Sequence, residues 1–197
     1  MPTVVLRPDA EISSGSWNNE SGSGFNVAKI NDASTSTYVY NASANQSFVV
    51  SLNNTSGLAG ATFNNFVVTA IFQKHGPRGA DASFEINVGN SSSTTAFGSI
   101  SDATFVTTNF SPTTINAGAI SFGGGVTASD VDDMRIQLTG TDGTQTRIFE
   151  LLVTIDYTAA SAGPTVHTVN TVAEANIATI KGVAHANIAE INTVTFD

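Results

Sequence analysis

Residues 146–157 read Thr-Arg-Ile-Phe-Glu-Leu-Leu-Val-Thr-Ile-Asp-Tyr, and no other stretch constrains the fold as strongly. Phe149, Leu151, Val153, Ile155 and Tyr157 share one parity, while Glu150, Thr154 and Asp156 fall on the other. A period of two belongs to a strand that buries one face and wets the other. The run is long for a strand, which places it in the middle of a sheet. The residues before it read as strands that pair or pack with it. The residues after Tyr157 are of another kind.

The preceding strands are short and separated by turn residues. Thr3–Leu6 is a first strand, ended by Pro8-Asp9, and residues 11–24 read as a loop rich in Ser, Gly and Asn. Phe25, Val27 and Ile30 mark a second strand before the Asn31-Asp32 turn signal. Tyr38-Val39-Tyr40 and residues 48–52 come next, the latter with Phe48, Val50 and Leu52 on one parity. Residues 66–72 are apolar on both parities, which suits a strand covered on both faces. Ala82, Phe84, Ile86 and Val88 alternate with polar residues. Weaker strands are read at 97–100, 104–108 and 115–122, and a clear one at 134–138. Asp142-Gly143 then signals a hairpin into the long strand. About eight to ten such strands, with no long helix among them, predict an all-β, antiparallel, jelly-roll-like β-sandwich over residues 1–158.

The tail is a repeat. After a small-residue linker at 159–164, residues 169–179 read Val-Asn-Thr-Val-Ala-Glu-Ala-Asn-Ile-Ala-Thr. Residues 180–190 read Ile-Lys-Gly-Val-Ala-His-Ala-Asn-Ile-Ala-Glu, and Ile191-Asn192-Thr193-Val194 opens a third copy. Gly182 and the β-branched residues disfavour one continuous helix. Short helical turns over 173–178 and 184–189, with extended pieces at 171–172 and 182–183, fit the unit better. Such a unit cannot bury its own apolar residues, and arrays of fewer than three rarely stand alone. Residues 165–197 are therefore expected to oligomerise or dock through Val169, Val172, Ile177, Ile180, Val183, Ile188, Ile191 and Val194.

Function classes can be pruned. The net charge is −9 and the seven Lys and Arg stand singly, so no basic stripe is present to neutralise phosphates and nucleic acid is not an expected partner. No apolar run approaches the ~18 residues of a membrane span. No signal peptide is read at the start of the chain. There are no cysteines, which removes thiolate metal sites and suits assembly in a reducing cytoplasm. Asp130, Asp132 and Asp133 resemble a calcium loop only loosely. Arg135 and Thr141 stand where an EF-hand needs its Gly and Glu, so a turn capped by Ser129 is the plainer reading. His75 and His167 sit alone in polar loops, and His185 replaces Glu174 of the previous repeat. No nucleophile–base pair is spaced for catalysis. No catalytic residue, metal or cofactor is expected.

Taken together, Gly15-Ser16-Trp17, Ala28-Lys29-Ile30-Asn31-Asp32, Thr37-Tyr38-Val39, residues 48–52 and residues 130–138 resemble β-sandwich structural modules of tailed-bacteriophage virion proteins. The Ala-x-Ala-Asn-Ile-Ala repeat is similar to those carried by phage tail and head-surface proteins. Where such modules show a Gly-Trp pair, this chain has Ser16-Trp17, and Asn31 replaces an acid. The resemblance implies a non-enzymatic virion component, a decoration, fibre or other surface protein. It would be assembled in the host cytoplasm as a homo-oligomer, with a trimer expected, alongside other virion proteins. The alternative is a glycan- or host-surface-binding sandwich, with Trp17, Tyr38 and Tyr40 as the aromatics that would stack on sugar. For Trp17, capping the end of a sandwich core is the commoner arrangement.

Overall fold

The two longest strands lie side by side. In a computed structural model of the protein, β13 (Gln145–Thr158) and β6 (Thr62–His75), 14 residues each, pair antiparallel from end to end. The structure describes residues 1–160 apart from 23, 42, 56, 76–80 and 142–144, and in the tail 168–169, 172–173, 179–180 and 183–184.

Seven strands form the larger sheet. Beyond β6 lie β10 (Thr113–Asn116) and β11 (Ile120–Ser121), and beyond β13 lie β1 (Thr3–Leu6) and β4 (Val39–Asn41). β3 (Trp17–Asn19) borders β4. The smaller sheet runs β2 (Pro8–Ser13), β5 (Gln46–Leu52), β12 (Arg135–Gly140), β7 (Ala82–Gly89), β8 (Gly98–Ile100), with β9 (Val106–Thr107) also on β7. Every pair is antiparallel. The molecule from Met1 to Ala159 is thus a β-sandwich, as the alternating pattern requires.

Its core is the alternate residues of both inner faces. Phe66, Val68, Ala70, Phe72, Leu151, Val153 and Ile155 come from the larger sheet; Phe48, Val50, Leu52, Phe84, Ile86, Val88, Ile136 and Leu138 from the smaller. Rings lock the sheets together. Phe72 meets Phe84 edge-on at 4.7 Å, and Trp17 meets Phe48 edge-on at 5.0 Å.

Several expectations need correction. Parity along β13 is broken: Ile148 faces Phe72 and Glu150 faces Ile71, so Phe149 is an extra residue in a β-bulge. Thr146 and Ile148 point inward before the bulge; Leu151, Val153 and Ile155 do so after it. Phe149 is buried but stands outside the core cluster. Next, β12 and β13 belong to different sheets and do not pair as a hairpin; residues 142–144 lie outside the described residues.

Residues 11–24, expected as a loop, hold the end of β2 and all of β3, and Pro8-Asp9, expected to end the first strand, begins β2. β2 opens on Pro8 at a sheet edge, a position that needs no ladder donor. Residues 27–30 form a 3-10 helix instead of a strand, capped by Asn26, whose side chain accepts from the Ala28 N–H. Likewise α1 (Ala128–Asp132) is capped by Thr127, not Ser129, with Asp130 completing a reciprocal capping box.

Ala160–Asp197 is a second unit. In it β14 (Thr168–Val169) pairs with β15 (Val172–Ala173), and β16 (Thr179–Ile180) with β17 (Val183–Ala184). The second pairing repeats the first eleven residues on. Ala173 and Ala184, expected in helical turns, are extended, because β-branched residues flank each two-residue link and favour strand. The remainder of both expected turns, 174–178 and 185–189, and the third copy at 191–194 lie outside the described residues.

Candidate functional site

One row of side chains crosses four strands of the larger sheet. Asn18 of β3 faces Tyr40 of β4, Tyr40 faces Arg147 of β13, and Arg147 faces Gln73 of β6. Directly opposed residues lie on one face, and this row alternates with inward Val39, Ile148 and Phe72, so it belongs to the outer face. Four strands at ordinary spacing make it about 14 Å long.

Arg147 is the row's centre. Its guanidinium lies over the Tyr38 ring at 4.3 Å. That ring also meets Phe149, edge-on at 5.6 Å, and the bulge is what brings Phe149 out to meet it. Arg147 Nη2 lies 2.9 Å from His75 Nε2. A guanidinium has only donors, so Nε2 accepts and the imidazole proton sits on Nδ1. Burial holds the His75 pKa below the usual histidine range, and the Arg147 charge lowers it further, so the ring is neutral. Beside this group Tyr40 leans toward Tyr38, ring centroids 6.3 Å apart. Asn18, Tyr38, Tyr40, His75 and Arg147 are all half-buried, while Gln73 is buried. One bulge further along, Glu150 is buried against the Arg7 guanidinium.

The aromatics named from sequence therefore part company. Trp17 is 1% exposed, and its Nε1–H donates to the Gln46 carbonyl at 2.9 Å. It is a core residue and offers no face to a sugar. Tyr38 and Tyr40 stay on the surface, but Tyr38 already carries Arg147 on its ring. His75, read as alone in a polar loop, ends β6 and partners Arg147. Arg147, Gln73 and Asn18 carried no signal, since Tyr40 and Arg147 are joined only by strand register.

The three aspartates are spoken for within the fold. Asp130 accepts from the Thr127 N–H at 2.9 Å and from its hydroxyl at 2.6 Å. Asp132 binds Thr55, and Asp133 binds Ser91. Among the described residues no group of three or more His, Asp or Glu could hold a metal ion. No described helix is long and apolar enough to cross a membrane. Of the assembly residues, Val169, Val172, Ile180 and Val183 lie in the tail's short strands. Ile177, Ile188, Ile191 and Val194 lie outside the described residues.

No family model matches the sequence, and no curated protein does. Among solved structures the chain is similar to a truncated AlyQ with CBM32 and alginate lyase domains, at 17% identity and a TM-score of 0.37. The match covers 84% of this chain and 37% of that one.

Proposed function

We propose that this chain is a non-enzymatic structural subunit, a surface component of a tailed-phage particle, whose sandwich is carried by a C-terminal assembly segment. The observation behind this reading is the pair of two-stranded sheets in the tail, recurring at the sequence repeat. Each strand is two residues long. An isolated hairpin is marginal in water even with longer strands, so pieces this small need further strands beside them. The same segment of other copies supplies strands of matching sequence and period, and three copies make the proposed assembly. The sandwich, by contrast, has a complete core of its own. The low charge and the sequence resemblance point the same way.

The test compares residues 1–163 with the full chain by sedimentation and thermal melting. Trimeric full-length protein and a monomeric truncation that keeps the sandwich melt support the reading. A truncation that still oligomerises moves assembly into the sandwich and sinks it. For the particle itself, labelled protein added to virions that lack it should be incorporated by the full chain and not by the truncation.

A further inference from the structure

We propose that the outer-face row Asn18, Tyr40, Arg147 and Gln73 binds a carboxylate-bearing glycan, with Arg147 taking the carboxylate. This goes beyond the assembly reading, because the row lies wholly in the sandwich and needs nothing of the tail.

Among the described arginines, Arg147 stands out by its partners. The chain holds 16 acidic residues against seven Lys and Arg. Arg7 has Glu150, Lys29 has Glu20 and Arg135 has Asp133. Among the described residues no carboxylate lies within ion-pair distance of Arg147. A phenol ring and a neutral imidazole hold its guanidinium in place without cancelling its charge. A planar fork fixed in advance forfeits little rotamer freedom when it takes a planar carboxylate.

The neighbours choose the rest of the ligand. Asn18 is a half-buried amide able to donate and accept, which suits a hydroxyl group, and Gln73, buried at the far end of the row, closes it. Tyr40 adds an apolar ring face with a polar tip, suited to the C–H side of a pyranose. One cation beside an amide and two phenols on a half-buried outer face fits a polyhydroxylated ring bearing one acid per unit. A polyphosphate would call for several cations.

The test uses the full chain on an array of uronate- and sialate-containing glycans, their carboxyl-reduced forms, neutral glycans and sulfated glycans. The best hit is then titrated by calorimetry. Binding confined to carboxylate glycans and abolished by carboxyl reduction is the expected result. Arg147→Gln and Tyr40→Ala should each weaken it, Arg147→Gln by about tenfold to a hundredfold, the worth of a charge-assisted hydrogen bond. Arg147→Lys keeps the charge and loses the fork, and should also weaken binding. Asn87→Ala, on the smaller sheet, should leave it unchanged. Four results overturn the proposal: no carboxylate glycan bound, neutral glycans bound equally, sulfated glycans bound in preference, or a folded Arg147→Gln protein that binds as tightly as the parent. Should Arg147→Gln not fold, Tyr40→Ala and Arg147→Lys decide the matter. A truncation that still oligomerises would sink the assembly reading and leave this result untouched, so the two readings fail separately.

Discussion

Asp132 Oδ1 accepts both the backbone N–H and the hydroxyl of Thr55, each at 2.7 Å. Next to it, Asp133 accepts the Ser91 N–H at 2.9 Å and the Ser91 hydroxyl. Two consecutive aspartates thus tie two loops, far apart in sequence, to the C-terminal end of α1.

Asp132→Ala should destabilise the sandwich by about 1–3 kcal/mol, because Thr55 is buried and would keep an unanswered N–H and hydroxyl. Asp132→Asn retains one acceptor and should lose about half as much. Urea unfolding of the three proteins, with unchanged m-values, measures the difference.

Acid should loosen the Asp133–Ser91 and Asp130–Thr127 ties before the core melts. The Ser91 hydroxyl and then its N–H hold the Asp133 carboxyl below its usual value of 3.8, and Thr127 does the same for Asp130. Both folded values lie below the unfolded one. The stabilisation is therefore complete above pH 3.8 and is lost as pH falls through the folded values. Hydrogen exchange at the Ser91 and Thr127 amides, corrected for intrinsic rates, should show protection at neutral pH and its loss below that window. Exchange at Leu151 or Val153 should remain slow throughout.

Two glycines should differ in tolerance. A Cβ on Gly89 would run into the backbone of Ser93 and Thr94, which has no easy way to yield. A Cβ on Gly140 would come within 2.5 Å of Asn41 Nδ2, the tip of a side chain. Asn41 is itself fixed, since its Oδ1 accepts the Thr146 N–H at 2.6 Å. Gly140→Ala should cost about 1–3 kcal/mol, the usual range for overpacking, and Gly89→Ala more than that. Thermal melts rank the two.

Trp17→Ala should cost about 3–5 kcal/mol, as for other large core truncations. Trp17→Phe keeps a ring against Phe48 and loses the bond to the Gln46 carbonyl, for about 1 kcal/mol. Neither change should alter binding at the outer-face row by more than the fraction unfolded. The same melts, run beside the titrations, check both statements.

The sequence carried the sandwich because burial writes itself as alternation. Phe48, Val50 and Leu52 could be placed inward on sight, and Ala82 to Val88 likewise. It did not carry the slip at Phe149, because Phe149 keeps the parity of Leu151 and Val153 and a bulge has no composition of its own. The 3-10 helix at Val27–Ile30 was missed for a related reason: Phe25 and Val27 alternate, and the cap that decides the matter is a single asparagine. The candidate site was legible only in Tyr38 and Tyr40. Arg147, Gln73 and Asn18 are ordinary polar strand residues until register sets them in line. Chain separation also hid the partnership of His75 with Arg147, 72 residues away.

Strand β2 carries two register shifts against β5 within six residues, between Pro8 and Ala10 and between Glu11 and Ser13. A straight incoming strand cannot match a rim that changes step twice. At other sheet borders β3 and β8 offer three residues each, and β1 and β10 four. Exposed Ile12 and Val5 therefore sit on or near borders that give a visiting chain little to zip onto. Even at high concentration, neighbouring sandwiches of this kind have little edge with which to knit into fibrils.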